Sequence, residues 1–302
     1  MRSVLSVCAI AVTLAGCGAM QQSFSPPATR AQSRSPRSWM LPKAKSQDLL
    51  YISDLGTNSV DVFTYPKGQQ VGKITGFGSV ETLCSDKAGD VFIVDEAGPV
   101  DVFSHGGSTP VRQLTATGAP EGCSVDPTTG DLALTNGSSY LYGTIAIYPK
   151  AKGKSKAYFD DTVDATYFCG YDDKGNLFID GWNRSGQPIF LEFPKSHRGF
   201  AIADLKVKVP GGVLWDGKYV AVSDVGAGVI HRLSATGHSE QTVKLRRGAD
   251  VYQFWIFGST IVGPDAVADG TTQFWHYPAG GSPTKTIEGF SYPIGSTISL
   301  AH

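Results

Sequence analysis

An all-β fold built from six repeats is predicted by three observations. Short runs of alternating apolar residues fill the chain beyond residue 48, separated by Gly, Pro, Asp and Asn, and no stretch keeps a helical period. One kind of run recurs six times, ending in Asp54, Asp95, Asn136, Asp180, Asp224 and Asp265, so that the repeat length is 41 to 44 residues. A strand-like segment, residues 294–300, is left over at the C-terminus.

The N-terminus has a different character. Arg2 precedes about a dozen mostly apolar residues, and the small residues Ala15 and Gly16 follow, as in an export signal over residues 1–16. The apolar run is shorter than the ~20 residues a membrane-spanning helix needs. Leu14-Ala15-Gly16-Cys17 resembles the lipobox of bacterial lipoproteins. That resemblance implies cleavage before Cys17, lipidation of Cys17, and a cell-envelope location facing the periplasm or the exterior; an ordinary secretory signal cut nearby is the alternative. Residues 17–47 then carry Ser, Pro, Gln and five basic residues with no carboxylate, the composition of a disordered tether. Trp39, Met40 and Leu41 are its apolar exception, expected to lie against the folded body.

Residues 48–302 are long enough for one large core. After each Asx-ending run comes a second, over 60–65, 100–104, 145–148, 189–193, 229–234 and 272–277. Four of these end in an aromatic residue and Pro, as in Tyr65-Pro66 and Tyr148-Pro149, where the missing N–H stops a sheet ladder. Copies two to six are each preceded by a further run, over 81–86, 121–126, 167–172, 213–216 and 252–257, and a more variable fourth strand completes each repeat. Four antiparallel strands in about 42 residues make one propeller blade, and six copies make a six-bladed β-propeller. The first copy lacks its leading strand. Residues 294–300 are expected to supply it, so that both termini close the first blade and no sheet edge stays open.

Pro120-Glu121-Gly122-Cys123-Ser124-Val125-Asp126, followed by Gly130-Asp131-Leu132, and Asn58-Ser59-Val60-Asp61-Val62-Phe63 resemble the NHL and SMP-30-like group of six-bladed propellers. The resemblance covers most of residues 49–300. Such propellers include lactonases, lyases, sensor domains and scaffolds, so it implies architecture more than activity.

Repetition separates structural residues from candidate functional ones. An Asx ending the same strand in six copies is a turn residue, and function is expected where copies differ, at the starts of the innermost strands. Those positions offer Glu81 and Glu121 in neighbouring copies, then Tyr167, Phe168, Trp215, Tyr252, Gln253, Trp255 and Tyr292. Glu81, Glu121, Tyr167, Trp215 and Tyr252 are the ligand-binding candidates at the channel mouth, where carboxylates grip polar groups and rings stack on a flat ligand. The alternative is that the glutamates are solvated and the rings fill space between blades.

In the SMP-30-like lactonases the family pattern is one Glu with Asn and Asp metal ligands from separate blades. Glu81 or Glu121 matches the first, and no Asn and Asp pair matches the rest. The histidines lack the short spacings of a zinc site. Cys84, Cys123 and Cys169 fall near one register of three successive innermost strands and are expected as buried free thiols, their blades being too far apart to bridge.

With 26 basic and 27 acidic residues the charges nearly cancel, which argues against a nucleic-acid partner. No nucleophile motif, phosphate loop or dinucleotide fingerprint occurs, so no cofactor is expected. The resulting expectation is a monomeric, membrane-anchored lipoprotein whose propeller is a binding or scaffold module for a small molecule, glycan or envelope protein. The alternative is a metal-dependent hydrolase of the gluconolactonase kind, using a divalent cation.

Overall fold

The computed structural model describes residues 37–116, 118–137, 143–266 and 270–302. Residues 1–16, expected to be an export signal, and Cys17 lie outside the described residues. Among those that are described, no helix is long and apolar enough to cross a membrane.

Six antiparallel sheets follow one another in chain order. Blade 2 runs from its innermost to its outermost strand as Val80–Ser85, Val91–Asp95, Val100–Phe103 and Arg112–Leu114. Blade 3 repeats this order from Pro120–Val125, blade 4 from Val163–Tyr171, blade 5 from Pro210–Trp215 and blade 6 from Trp255–Phe257. The architecture is a six-bladed β-propeller of four antiparallel strands per blade. Blade 1 departs slightly, because the short strand Trp39–Met40 adds to its outer edge by pairing with Lys73 and Gly72.

Each sheet is covered on both faces by its neighbours, so its middle strands are apolar without alternation: every residue of Leu49–Asp54 and of Val91–Asp95 is buried. The outermost strands face water, as in Ala201–Asp204 and Ser239–Lys244, and this exposure accounts for the variability of the fourth strand in sequence. Six apolar clusters fill the six interfaces between blades. The sixth joins Val262 and Phe274 of blade 6 to Leu50, Ile52 and Ile298 of blade 1, which closes the circle.

Closure is made by the C-terminus as the sequence predicts. Pro293–Ser299 is the innermost strand of blade 1, paired with Leu49–Asp54 from Leu49↔Ser299 to Asp54↔Pro293. Ser85 Oγ of blade 2 donates to Ile298 O at 2.8 Å, and Ala301 N donates to Asp48 Oδ1 at 3.0 Å. At the other terminus the ordered body begins earlier than composition indicates. Residues assigned to the tether form Trp39–Met40 and a 3-10 turn, Pro42–Ser46, whose Ala44 is fully buried. Met40 lies over Gly72, where a side chain would occupy the space of its thioether.

The cysteines require a correction. Cys84 and Cys123 are joined in a disulfide, with Cα atoms 5.8 Å apart. Innermost strands of adjacent blades converge on the central axis and come within bridging distance there, which blade-to-blade spacing further out does not suggest. Cys169, one blade on, is a free buried thiol, its pKa pushed up by burial and by nearby Asp180.

Candidate functional site: the acid and aromatic channel mouth

The innermost strands of blades 2 to 5 share one irregularity. Val80 pairs with Asp95 and Leu83 with Ile93, so the innermost strand of blade 2 holds one residue more than its neighbour across that step. The same bulge recurs between Pro120 and Cys123, Thr166 and Cys169, and Pro210 and Val213, and a shorter one between Pro293 and Gly295. A bulge re-aims side chains. Its first extra residue is Glu81, Glu121, Tyr167, Gly211 and Ile294 in turn, and in blade 6 Tyr252 precedes the short innermost strand.

Bonds between blades hold this ring of residues. Thr82 Oγ of blade 2 donates to Glu121 O, Thr135 Oγ of blade 3 to Tyr167 O, Gly212 N of blade 5 to Tyr252 O, and Gln253 N of blade 6 to Ile294 O. Gly212 is required there, since a Cβ would press on Tyr252 O and the Gln253 backbone. The repeated Asx residues fasten the loops outside the ring. Asp95 accepts from Gly78 N and Ser79 N at 2.9 and 2.7 Å, Asp224 from Lys208 N and Val209 N, and Asp54 from Ser291 N and Tyr292 N. Asp180 does something different. It is fully buried and accepts from Phe168 N at 2.8 Å, bracing the bulge that carries Tyr167 and Phe168; burial holds its carboxyl protonated well above the usual range.

The ring encloses a cavity of about 320 Å³ lined by Glu81, Glu121, Tyr167, Phe168, Trp182, Tyr252 and Tyr292, with Thr82 and apolar residues between them. Beneath the ring Gln253 spans from blade 6 to blade 2, where its amide donates to Leu83 O at 2.8 Å and accepts from Leu83 N at 3.2 Å. Burial raises the pKa of Glu121 to about 8, helped by the charges of Glu81 and Glu96. It likewise raises that of Glu81 to about 7, with Glu96 and Asp95 adding to the effect and a bond from Ser79 opposing it. The Tyr252 hydroxyl, half-buried and hydrogen-bonded to Tyr292, is pushed up to about 12.

Four of the five mouth candidates, Glu81, Glu121, Tyr167 and Tyr252, therefore meet in one cavity, together with Phe168 and Tyr292. Trp215 does not. It sits at the far end of its strand, stacked on Phe178 with ring centroids 6.4 Å apart, and its register matches Ser85 rather than Glu81. Trp255 also lies toward the far end, in a separate cavity with Phe257 and Leu300. Trp182 is the residue the repeat pattern missed. It follows Asp180, where the other copies stop, because the second strand of blade 4 continues to Asn183.

Among the described residues, no three His, Cys, Asp or Glu side chains converge to hold a metal ion. Besides Glu81 and Glu121, the described residues lining the cavity include no carboxylate and no Asn.

No protein-family model matches the chain, and no curated protein matches it. Solved structures do. A chain of the crystal structure of a nidogen/laminin complex aligns with a TM-score of 0.72 at 16% identity, covering 84% of this chain and 99% of that one. A protein of unknown function from Bacteroides caccae aligns with a TM-score of 0.66 at 12% identity, with coverage of 84% and 99%. At such identities the likeness is one of fold.

Proposed function

We propose that the protein is a lipid-anchored binding protein of the cell envelope, and that its ligand is a small molecule held in the channel mouth. The observation that carries the reading is the cavity itself: concave, ringed by five aromatic side chains, and entered by two carboxylates that no repeat rule accounts for. Export and attachment through Cys17 are supported by the lipobox-like Leu14-Ala15-Gly16-Cys17, and the Cys84–Cys123 disulfide suits an oxidising compartment. Kinship with NHL and SMP-30-like propellers is part of the proposal, supported by the blade motifs around Glu121 and Asn58. The nidogen/laminin neighbour comes from a protein complex, which makes an envelope protein the competing occupant.

Two measurements on the full-length chain test the reading. Metabolic labelling with a palmitate analogue is expected to mark the wild type and not Cys17→Ser, which should leave the membrane fraction; an unlabelled wild type removes the anchor. A thermal-shift screen of small molecules is expected to yield stabilising compounds whose effect disappears in Tyr252→Ala. Hits that stabilise Tyr252→Ala equally would move the site elsewhere.

A further inference from the structure

We infer that the mouth selects organic cations: a protonated or quaternary amine carried on a small apolar body. The inference rests on the mouth being a binding site, and it names the ligand class.

The cavity holds two converging carboxylates and no basic side chain among its described lining residues. Several other buried or half-buried carboxylates in the fold have a basic neighbour. Lys73 lies 3.0 Å from Asp61, Arg232 lies 2.7 Å from Asp216, and His231 approaches Asp224. Glu81 and Glu121 form no salt bridge among the described residues. Among the described residues Glu81 is hydrogen-bonded only to Ser79 Oγ, at 3.4 Å, and Glu121 lies against Gly137, where any Cβ would overlap its carboxylate. The titratable groups facing them are Glu96, Asp95 and Tyr167, with Asp164 beyond, all neutral or negative. The missing partner is a positive charge.

The rest of the lining narrows the kind of cation. Tyr167, Phe168, Trp182, Tyr252 and Tyr292 surround the acids, and the faces of such rings attract ammonium groups that are easily stripped of water. A hydrated divalent metal ion would need several more oxygen ligands than the mouth supplies. A sugar would need polar partners along most of its edge, whereas the described side chains offer two carboxylates, one threonine and tyrosine hydroxyls, two of which are bonded to each other. An amine on an apolar body fits both halves, its charge between Glu81 and Glu121 and its body against the rings.

Isothermal titration of the full-length chain with phenethylammonium, phenethyl alcohol and phenylacetate separates charge from shape, since the three share one ring. Phenethylammonium is expected to bind at least tenfold more tightly than the alcohol, with phenylacetate weakest. Its affinity should rise from pH 6 to pH 9, and binding near pH 7 should release protons to the buffer as the carboxylates ionise. Glu81→Gln/Glu121→Gln should cost the cation tenfold or more and leave the alcohol unchanged. Equal affinities for cation and alcohol, or undiminished cation binding by the double variant, overturn the cation inference and leave the mouth as a site for neutral ligands. Failure of all three to bind overturns the inference and counts against the mouth as a site for such ligands.

Discussion

The hairpin aspartates at the far end of the channel and the two glutamates at its mouth are used in opposite ways. At the far end, each innermost strand of blades 2 to 5 runs into a hairpin headed by an aspartate, and every one is satisfied. Asp86 accepts from the Ala88 and Asp90 amides, Asp126 from Thr128 N and two threonine hydroxyls, and Asp172 from Lys174 N, Asn176 N and the Asn176 side chain. Asp216 accepts from the Lys218 and Tyr219 amides and, through its other oxygen, from Arg232 and Tyr277. At the mouth, Glu81 has only the Ser79 hydroxyl as a side-chain partner among the described residues, and Glu121 has no side-chain hydrogen bond among them. A carboxylate that recurs from blade to blade and is held by its own turn is scaffold. One that occurs in two copies, half-buried and bound by few protein groups among the described residues, is available to a ligand.

The largest effect expected from this contrast is at Asp216. Its side chain is buried beneath Arg232 and Tyr277 and ties blade 5 to blade 6, so Asp216→Ala strands the guanidinium, the phenol and two amides together. A loss of ~3 kcal/mol in unfolding free energy is expected from urea titration, with ligand affinity at the mouth unchanged. A loss below about 1 kcal/mol would show that the far-end aspartates are not the scaffold.

The pH dependence of stability should have opposite signs at the two ends. Glu81 and Glu121 bind their protons more tightly folded than unfolded, so between about pH 4.5 and pH 8 the folded chain carries more protons and loses stability as pH rises. Asp216 is held below its ordinary pKa, because the bonds from Tyr277, Tyr219, Arg232 and Lys218 outweigh the cost of burial. Its contribution is present above its unfolded pKa and is lost as pH falls through the folded one. In urea titrations at pH 5, 7 and 9, Glu81→Gln/Glu121→Gln should flatten the alkaline decline. It should be ~1–2 kcal/mol more stable than wild type at pH 9, a figure reduced for solvent access to half-buried groups. A decline that persists in the double variant would assign it to other groups.

Most of the architecture was legible because a propeller writes the same constraint six times. A strand covered on both faces must be apolar, a hairpin needs Asp and Gly, and the spare C-terminal strand had one vacant place to fill. The mouth was legible at Glu81, Glu121, Tyr167 and Tyr252 because the bulge keeps one register from blade to blade. It was obscured where a copy departs from the pattern. In blade 5 the ring positions are Gly211 and Gly212, so the apolar run seems to begin at Val213, and Trp215 looks closer to the mouth than it is. In blade 4 the strand outruns its Asx, hiding Trp182. The Cys84–Cys123 bridge depends on convergence at the axis, a property of the closed ring that no single repeat displays.

The smallest effect is expected at the tryptophan that was misplaced, and it separates the two ends by spectroscopy. Trp215 stacks on Phe178, and its indole N–H is buried with no partner among the described residues. Trp215→Phe removes that unsatisfied donor while keeping a ring on Phe178, so lost volume and relieved desolvation should nearly cancel, within about 1 kcal/mol. Trp182 lies in the mouth, where a bound ring or ammonium group meets the indole directly. Ligand binding should therefore change the fluorescence of wild type and Trp215→Phe alike, and the change should be largely absent in Trp182→Phe. If Trp215→Phe abolished it instead, the ligand would be entering from the far end, and the difference between the two sets of carboxylates would have another cause.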